Sequence, residues 1–139
     1  MTVNDAAFSW PVRVYYEDTD AVGIVYYANY LKFMERARTE WLRSLSFDQD
    51  QLRHEHHIVF AVTRANTNFR KPARLDDQLI VSVQVANLGA ASFDLDQHIV
   101  RTDDVKICDA RVRIACLNAD TLKPLRLPSF LLTELRRED

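Results

Sequence analysis

A single stretch of this sequence has the apolar spacing of a long α-helix, and alternating segments flank it on both sides. From about Asn29 to Leu45, apolar residues recur every three or four positions and so share one broad face of a helix. These apolar residues are Tyr30, Phe33, Met34, Ala37, Trp41 and Leu45. Asn29 has the side chain of an N-cap residue. An apolar face this wide needs cover from several directions, which favours a curved sheet wrapped around the helix.

Alternation of apolar and polar residues predicts one β-strand before the helix and four after it. The first runs from Phe8 to Glu17, and Pro11 near its start is typical of an edge strand. The later strands cover residues 58–69, 79–85, 93–99 and 108–116. The run Asn87-Leu88-Gly89 predicts a hairpin turn before the strand at 93–99.

The predicted order is therefore β-α-β-β-β-β, an α+β fold with a five-stranded antiparallel sheet against one long helix. Residues 47–57 predict a loop with a short helical piece, and residues 128–137 predict a terminal helix. With 139 residues and no linker-like stretch, residues 1–139 are expected to form a single domain. An open sheet has unpaired edges, so self-association through an edge strand is expected.

Charge and composition narrow the class of protein. The formal net charge of −2 gives no electrostatic footprint of a nucleic-acid-binding protein. No apolar run approaches the ~18 residues of a membrane span, and the first residues lack the pattern of a signal peptide. Cys108 and Cys116 have strand-like surroundings and are expected to be buried free thiols. A cytoplasmic location is expected on these grounds.

Several common catalytic motifs are absent from the sequence. The chain has only two glycines, so it has no glycine-rich phosphate loop, and it has no G-x-S-x-G serine motif. The histidine cluster His54-Glu55-His56-His57 lacks the spacing of a metal site and is interpreted as a solvated loop. No metal is therefore expected.

Three carboxylates stand just before the predicted helix start: Glu17, Asp18 and Asp20. Asp20 is the nearest to the helix. One interpretation is that it caps or stabilises the turn. The other is that it acts as a base or nucleophile toward an electrophile held by the unpaired N–H groups of the helix. The spacing alone leaves both interpretations open.

A family resemblance favours the second interpretation. One run of this chain resembles the signature of the 4-hydroxybenzoyl-CoA thioesterase family of hotdog-fold proteins. That run is Arg13-Val14-x₄-Thr19-Asp20-x₂-Gly23-Ile24-Val25-Tyr26-Tyr27-x-Asn29-Tyr30. Two later runs resemble the Tol–Pal-associated acyl-CoA thioesterase branch of that family. They are Glu35-Arg36-Ala37-Arg38-Thr39-Glu40 and Pro72-Ala73-Arg74-Leu75-Asp76-Asp77. The resemblance extends over about residues 12–132.

The resemblance implies a fold, an assembly and a site. Hotdog proteins wrap a five-stranded sheet around one long helix and pair edge strands into homodimers, commonly assembled further into homotetramers. Their active sites lie at the dimer interface, near each helix N-terminus. Asp20 matches the family's catalytic aspartate, and the backbone N–H of Tyr27 matches the donor that polarises the thioester carbonyl. No metal or redox cofactor is implied.

The expected substrate contacts fall into two groups. Residues near the thioester and the acyl group are expected to be Gly23, Val25, Tyr26, Tyr30 and Phe60. In some family members a basic turn grips the phosphates of CoA, whereas the matching turn here, Leu88 to Ser92, has no charge. Ser92 remains a candidate contact in that turn. The cations expected to hold the phosphates are instead Arg70, Lys71 and Arg74.

The resemblance thus implies hydrolysis of acyl-CoA to free acid and CoA, with short-chain or aromatic acyl groups favoured. An acyl-carrier protein is an alternative carrier, since its contacts need no grip on the nucleotide. A dehydratase of the same fold is disfavoured because such enzymes usually use a His base and none lies near this helix start. A non-catalytic protein that binds acyl thioesters is the alternative from a different class.

Overall fold

The computed structural model describes residues 7–137, and its elements follow the predicted order. The strands are β1 (Phe8–Arg13), β2 (Ile58–Phe69), β3 (Gln78–Leu88), β4 (Ser92–Arg101) and β5 (Lys106–Asn118). The helices are α1 (Tyr27–Ser44), α2 (Gln49–His56) and α3 (Ser129–Arg137), and a 3-10 turn spans Tyr16–Asp18. No helix in the described part of the chain is long and apolar enough to cross a membrane.

All five strands form one antiparallel sheet in the order β1-β3-β4-β5-β2. Consecutive strands β3, β4 and β5 form a meander, while β1 adds to β3 and β2 adds to β5 at the two edges. The register places Val12 opposite Leu79 at one edge and Phe60 opposite Cys116 at the other. Within residues 7–137 each edge strand pairs along one side only, so two rows of backbone groups stay open.

Helix α1 supplies the centre of the core. Its side chains Phe33, Met34 and Trp41 are fully buried against the inner face of the sheet. The helix packs mainly on β3 and β1 and touches β4 less. The half of the inner face formed by β5 and β2 is therefore less covered by α1, and a cavity of about 460 Å³ opens there.

One buried polar side chain fixes α1 against the sheet. Gln97 on β4 is fully buried, and its Nε2 donates to the backbone oxygen of Met34 at 3.0 Å. Its Oε1 accepts a hydrogen bond from Nη1 of Arg38 at 2.9 Å. A buried amide is tolerated only when its groups are paired, so these bonds specify how the helix sits on the sheet.

The first strand and the hairpin turn differ from their predicted bounds. Strand β1 ends at Arg13 rather than Glu17, because the chain turns into the 3-10 segment and leaves Tyr16 81% exposed. Asn87 and Leu88 continue β3, where a register shift after Val85 adds a residue to the strand. The turn itself is closed by the N–H of Gly89 donating to the oxygen of Ser92 at 2.7 Å.

Both cysteines are buried and free, as the sequence predicts. Cys108 and Cys116 lie on β5. Burial raises the pKa of the Cys108 thiol to about 12 and that of Cys116 to about 11. Because the thiolate is the reactive form, both groups stay protonated and inert at neutral pH.

Alkylation should report this burial directly. At pH 8 the native protein should react with iodoacetamide more than about 100-fold slower than the protein unfolded in guanidinium chloride, since a thiol with a raised pKa is rarely ionised. Mass spectrometry over a time course measures both rates. Comparable rates in the two states would contradict the buried position of the thiols.

Candidate active site

A closed turn carries Asp20 between the 3-10 segment and α1. The N–H of Asp20 donates to the oxygen of Ile24 at 2.9 Å, and the N–H of Gly23 donates back to the oxygen of Asp20 at 3.1 Å. Gly23 has a φ of +82°, a left-handed backbone conformation that residues with a Cβ rarely adopt. Gly23 therefore shapes the turn through its backbone.

Asp18 ties this turn to both neighbouring elements. The residue is only 5% exposed, and its carboxylate accepts hydrogen bonds from the N–H of Tyr15 and from Nδ2 of Asn29, each at 2.9 Å. Its backbone oxygen accepts the N–H of Tyr26 at 3.0 Å. The three bonds join the end of the β1 segment to the first turn of α1. Asp18 is therefore a structural carboxylate.

The N-cap of α1 lies three residues earlier than the one predicted at Asn29. The N-cap position is Tyr26, which makes no capping hydrogen bond through its side chain, and α1 begins at Tyr27. The prediction is wrong because the side chain of Asn29 binds Asp18 from within the first turn. The loop leading into the helix is held by the backbone of Asp18 rather than by a capping side chain.

Asp20 differs from Asp18 in its surroundings. Its side chain is exposed, and Oδ1 accepts the N–H of Val22 at 2.8 Å. Its Oδ2 makes no hydrogen bond or ion pair to any residue in the range 7–137. One carboxylate oxygen is thus held by the turn, and the other is open to a ligand or a water molecule.

The first turn of α1 offers unpaired donors. The N–H of Asn29 donates to the oxygen of Tyr26 at 2.8 Å, whereas those of Tyr27 and Ala28 have no acceptor among the described residues. Such N–H groups and the positive end of the helix dipole favour a negatively charged or polarised oxygen. Tyr27 is 60% exposed, so its N–H is accessible from solvent.

A shallow pocket of about 250 Å³ lies beside this helix start. Its walls include Val25, Tyr27, Tyr30 and Phe69. The ring of Phe69 is 6.0 Å from that of Tyr27 and 5.8 Å from that of Tyr30, between centroids. The Tyr30 hydroxyl accepts the N–H of Ala73 at 3.0 Å, and burial raises its pKa. Tyr30 is therefore an anchored, neutral wall.

The predicted cations are unequally placed around the pocket. Arg70 and Lys71 line it, whereas Arg74 is exposed and outside its lining. Nε of Arg70 binds Oδ2 of Asp109 at 2.6 Å, and this hydrogen bond raises the pKa of Arg70. Lys71 makes no ion pair with the described residues, so it is the more available cation.

Three predicted contacts lie away from this pocket in a single copy of the chain. Tyr26 is exposed next to it, with its ring 4.9 Å from that of Tyr27. Phe60 lines a separate cavity of about 460 Å³ between α1, the start of α2 and the inner face of the sheet. Ser92 lies beside Gly89 in a smaller recess at the β3–β4 turn. The chain therefore brings together Val25, Tyr27, Tyr30, Arg70 and Lys71, but not Phe60 or Ser92.

Sequence reasoning missed two residues that this geometry singles out. Phe69 forms the far wall of the pocket, and the only sequence signal is an aromatic residue directly before Arg70 and Lys71. Arg38 points into the larger cavity, and its signal is a basic residue four positions after the buried Met34. Both depend on contacts between distant parts of the chain.

The described residues contain no group of histidine, cysteine and carboxylate side chains that could hold a metal ion. His54 and His56 lie on α2 and His57 follows it, all exposed. His54 lies 3.3 Å from Asp50, a surface contact.

Comparison with known proteins gives consistent matches over nearly the whole chain. A family model described as the thioesterase-like superfamily matches residues 14–135. Acyl-CoA thioester hydrolase YbgC of Escherichia coli O6:H1 is 39% identical over 135 residues, which cover 97% of this chain and 100% of that protein. Acyl-CoA thioesterase YbgC of Haemophilus influenzae is 43% identical over 124 residues, covering 89% and 90% of the two chains.

A solved structure gives the same result at the level of the fold. The crystal structure of a probable thioesterase from Bartonella henselae superposes with a TM-score of 0.83 at 35% identity, covering 88% of this chain and 99% of the other.

The structural role of Asp18 leads to a stability prediction. Asp18→Ala should lower the free energy of unfolding by about 3 kcal/mol, because it removes two hydrogen bonds to a buried carboxylate and leaves their donors unpaired. Urea denaturation followed by circular dichroism measures the change. Glu17→Ala, one residue away and exposed, is the matched control and should change stability little. Equal losses in the two variants would refute the assignment.

Proposed function

This chain belongs to the thioesterase-like superfamily and is a thioesterase with the hotdog fold; we propose that it hydrolyses acyl-CoA to free acid and CoA with Asp20 as the essential carboxylate. The observation that carries the proposal is the open Oδ2 of Asp20 in the turn that precedes the unpaired N–H groups of α1. A carboxylate and a carbonyl-polarising donor then stand in one short segment.

The proposed chemistry uses these two features together. The thioester oxygen accepts the N–H of Tyr27, which stabilises the charge that develops on that oxygen. In one route Asp20 takes a proton from water as the water oxygen bonds to the carbonyl carbon. The carbon–sulfur bond then breaks, and the thiolate of CoA receives the proton. In the other route Asp20 attacks the carbon itself, CoA leaves, and water cleaves the resulting anhydride.

Short-chain or aromatic acyl groups suit the pocket at the helix start. Its volume of about 250 Å³ is small for a ligand site, and Tyr27, Tyr30 and Phe69 give it aromatic walls. The YbgC proteins of Escherichia coli and Haemophilus influenzae carry names that specify acyl-CoA, which supports CoA as the carrier here.

Lys71 and Arg70, with Arg74 further out, are the proposed partners of the CoA phosphates. The turn at residues 88–92 carries no charge and so offers the phosphates no cation. That same uncharged turn favours an acyl-carrier protein as the second candidate carrier, because a protein carrier presents its acyl group without a free nucleotide. We place the enzyme in the cytoplasm, where CoA thioesters are made and the free thiols of the chain remain reduced.

A homodimer paired through β2 is proposed as the active form, with dimers of dimers as its further assembly. β2 is a 12-residue edge strand, and Val62 on it is 49% exposed. In this dimer, β2 of one copy pairs antiparallel with β2 of the other, and the two-fold axis passes through the centre of the strand. The end of one strand that carries Phe60 then lies beside the end of the other strand that carries Phe69. The larger cavity of one copy then approaches the helix start of the other.

Substitution of Asp20 tests the catalytic proposal. Asp20→Asn should lower kcat/KM about 100-fold or more, because the amide can neither attack nor accept a proton effectively. Thiol release is measured over short-chain, long-chain and aromatic acyl-CoAs and their acyl-carrier protein counterparts. Glu17→Gln is the matched control and should retain activity.

The outcomes of this assay separate the parts of the proposal. A folded Asp20→Asn with full rate would refute the site, and a wild-type protein that cleaves neither class of carrier would refute the proposed reaction. Single turnover in ¹⁸O-labelled water detects attack by the carboxylate, since label enters Asp20 when water cleaves the anhydride at the Asp20 carbon. Release of CoA before the product acid in the same experiment also indicates attack by the carboxylate, whereas simultaneous release of both products with label only in the acid indicates activated water.

The proposed assembly predicts a solution mass of twice the 16.2 kDa chain for the dimer, or four times for the dimer of dimers, and no monomer. Val62→Arg should shift the protein toward monomer and lower its activity, because it puts a charge into the proposed strand interface. Light scattering after size exclusion gives the mass. Leu122→Arg, at a 63% exposed apolar residue in the turn after β5, is the control and should stay dimeric. A fully active monomer would rule out a shared site.

A further inference from the structure

The cavity of about 460 Å³ combines apolar walls with a partly buried cation, Arg38. Phe60, Phe93 and Leu95 supply walls from the inner face of the sheet. Helix α1 supplies Glu35 and Arg38. An apolar cavity with a few convergent polar groups is the usual form of a site for a small organic ligand.

Arg38 is the unusual member of this lining. Its side chain is mostly buried, and burial lowers the pKa of its guanidinium. Nη1 donates to Oε1 of Gln97 at 2.9 Å, and within residues 7–137 the guanidinium makes no other hydrogen bond and no ion pair. Since a guanidinium has five N–H donors, most of its donors are left for a ligand.

Gln97 sets the orientation of the Arg38 side chain. Gln97 is fully buried, and its Nε2 is held by the backbone oxygen of Met34 at 3.0 Å. Its Oε1 is therefore directed toward Arg38. An arginine fixed in this way loses little further freedom when it binds an oxygen.

The other charged groups at the cavity already have partners. Glu35 is the nearest carboxylate, and its Oε2 accepts the hydroxyl of Thr39 at 2.8 Å. Arg43 is paired with Glu40 at 2.6 Å. On the α2 side, Asp48 accepts the N–H groups of Asp50 and Gln51 as the N-cap of that helix, and Oδ1 of Asp50 lies 3.3 Å from Nε2 of His54. Arg38 is the charged donor that remains available.

We propose that Arg38 is a specificity-determining residue that selects acyl groups bearing an oxygen acceptor at the end far from the thioester. The inference rests on the proposed function and its β2-paired dimer. Tyr27 and Arg38 of one chain are separated by three helical turns, about 16 Å, which exceeds the length of a short acyl group. A thioester at one helix start reaches the Arg38 of the second copy, whose cavity approaches it across β2.

The selectivity follows from the cost of leaving the open donors of a partly buried cation without acceptors. An oxygen at the end of the acyl group accepts hydrogen bonds from the open donors of Arg38. A hydrocarbon end of the same length displaces water from the cavity and leaves those donors unsatisfied. A preference of about tenfold or more for the oxygen-ended substrate is expected from one such hydrogen bond.

Three acyl-CoAs of similar length test the proposal: pentanoyl-CoA, 4-oxopentanoyl-CoA and succinyl-CoA. Wild-type enzyme should cleave the two oxygen-ended substrates with a kcat/KM about tenfold or more above that of pentanoyl-CoA. Arg38→Met should lose this preference and cleave pentanoyl-CoA at least as fast as wild type, because the donors that a hydrocarbon end leaves unsatisfied are gone; that rate also reports that the variant is folded. A larger effect on succinyl-CoA than on 4-oxopentanoyl-CoA identifies a carboxylate as the better ligand.

The controls separate this inference from the function on which it rests. Arg36→Met changes an exposed arginine of α1 outside the cavity and should keep the wild-type preference. Arg38→Gln, which retains an amide donor for Gln97, gives the same comparison if Arg38→Met does not fold. Equal cleavage of all three substrates, or a preference that survives in the Arg38 variant, overturns the inference alone. No cleavage of any thioester overturns the proposed function instead.

Discussion

The position of the candidate site depends on one buried carboxylate. Asp18 accepts the backbone N–H of Tyr15 and the side-chain amide of Asn29, so the end of the first strand segment and the first turn of α1 cannot move apart. The turn between them is then closed, with Asp20 exposed on it and the N–H of Tyr27 facing outward. Two acids separated by one residue thus differ in role because one is buried and bonded while the other faces solvent.

A second constraint is that one helix is too narrow to cover the whole inner face of a five-stranded curved sheet. Helix α1 covers mainly β1 and β3, so the inner face along β5 and β2 keeps a cavity. The adjacent edge strand β2 also keeps an open row of backbone groups. A second copy added at β2 would satisfy that edge and bring a cavity to each helix start. The proposed dimer and the proposed selectivity of Arg38 therefore depend on the same open edge.

The relatives and the geometry support different parts of this account. Sequence identity of 39–43% to the YbgC proteins establishes the family and thioester hydrolysis. The Gln97–Arg38 pair and the uncharged turn at Gly89 come from this chain's own residues, and the proposals on acyl group and carrier rest on them.

The sequence alone was sufficient for features that depend on near neighbours in the chain. Apolar spacing located α1 and four of the strands to within a few residues, and the family signature singled out Asp20 and Tyr27, which lie in one short segment with six residues between them. The prediction from sequence was wrong where hydrogen bonds across the turn determine the conformation, as at the end of β1 and at Asn29. Only the tertiary structure set Phe69 and Arg70 beside Tyr30, separated Phe60 from them, and placed Arg38 on Gln97. These contacts depend on a sheet in which β1 pairs with β3 and β2 pairs with β5, which joins residues about 40 to 75 positions apart, and no local pattern encodes such a pairing.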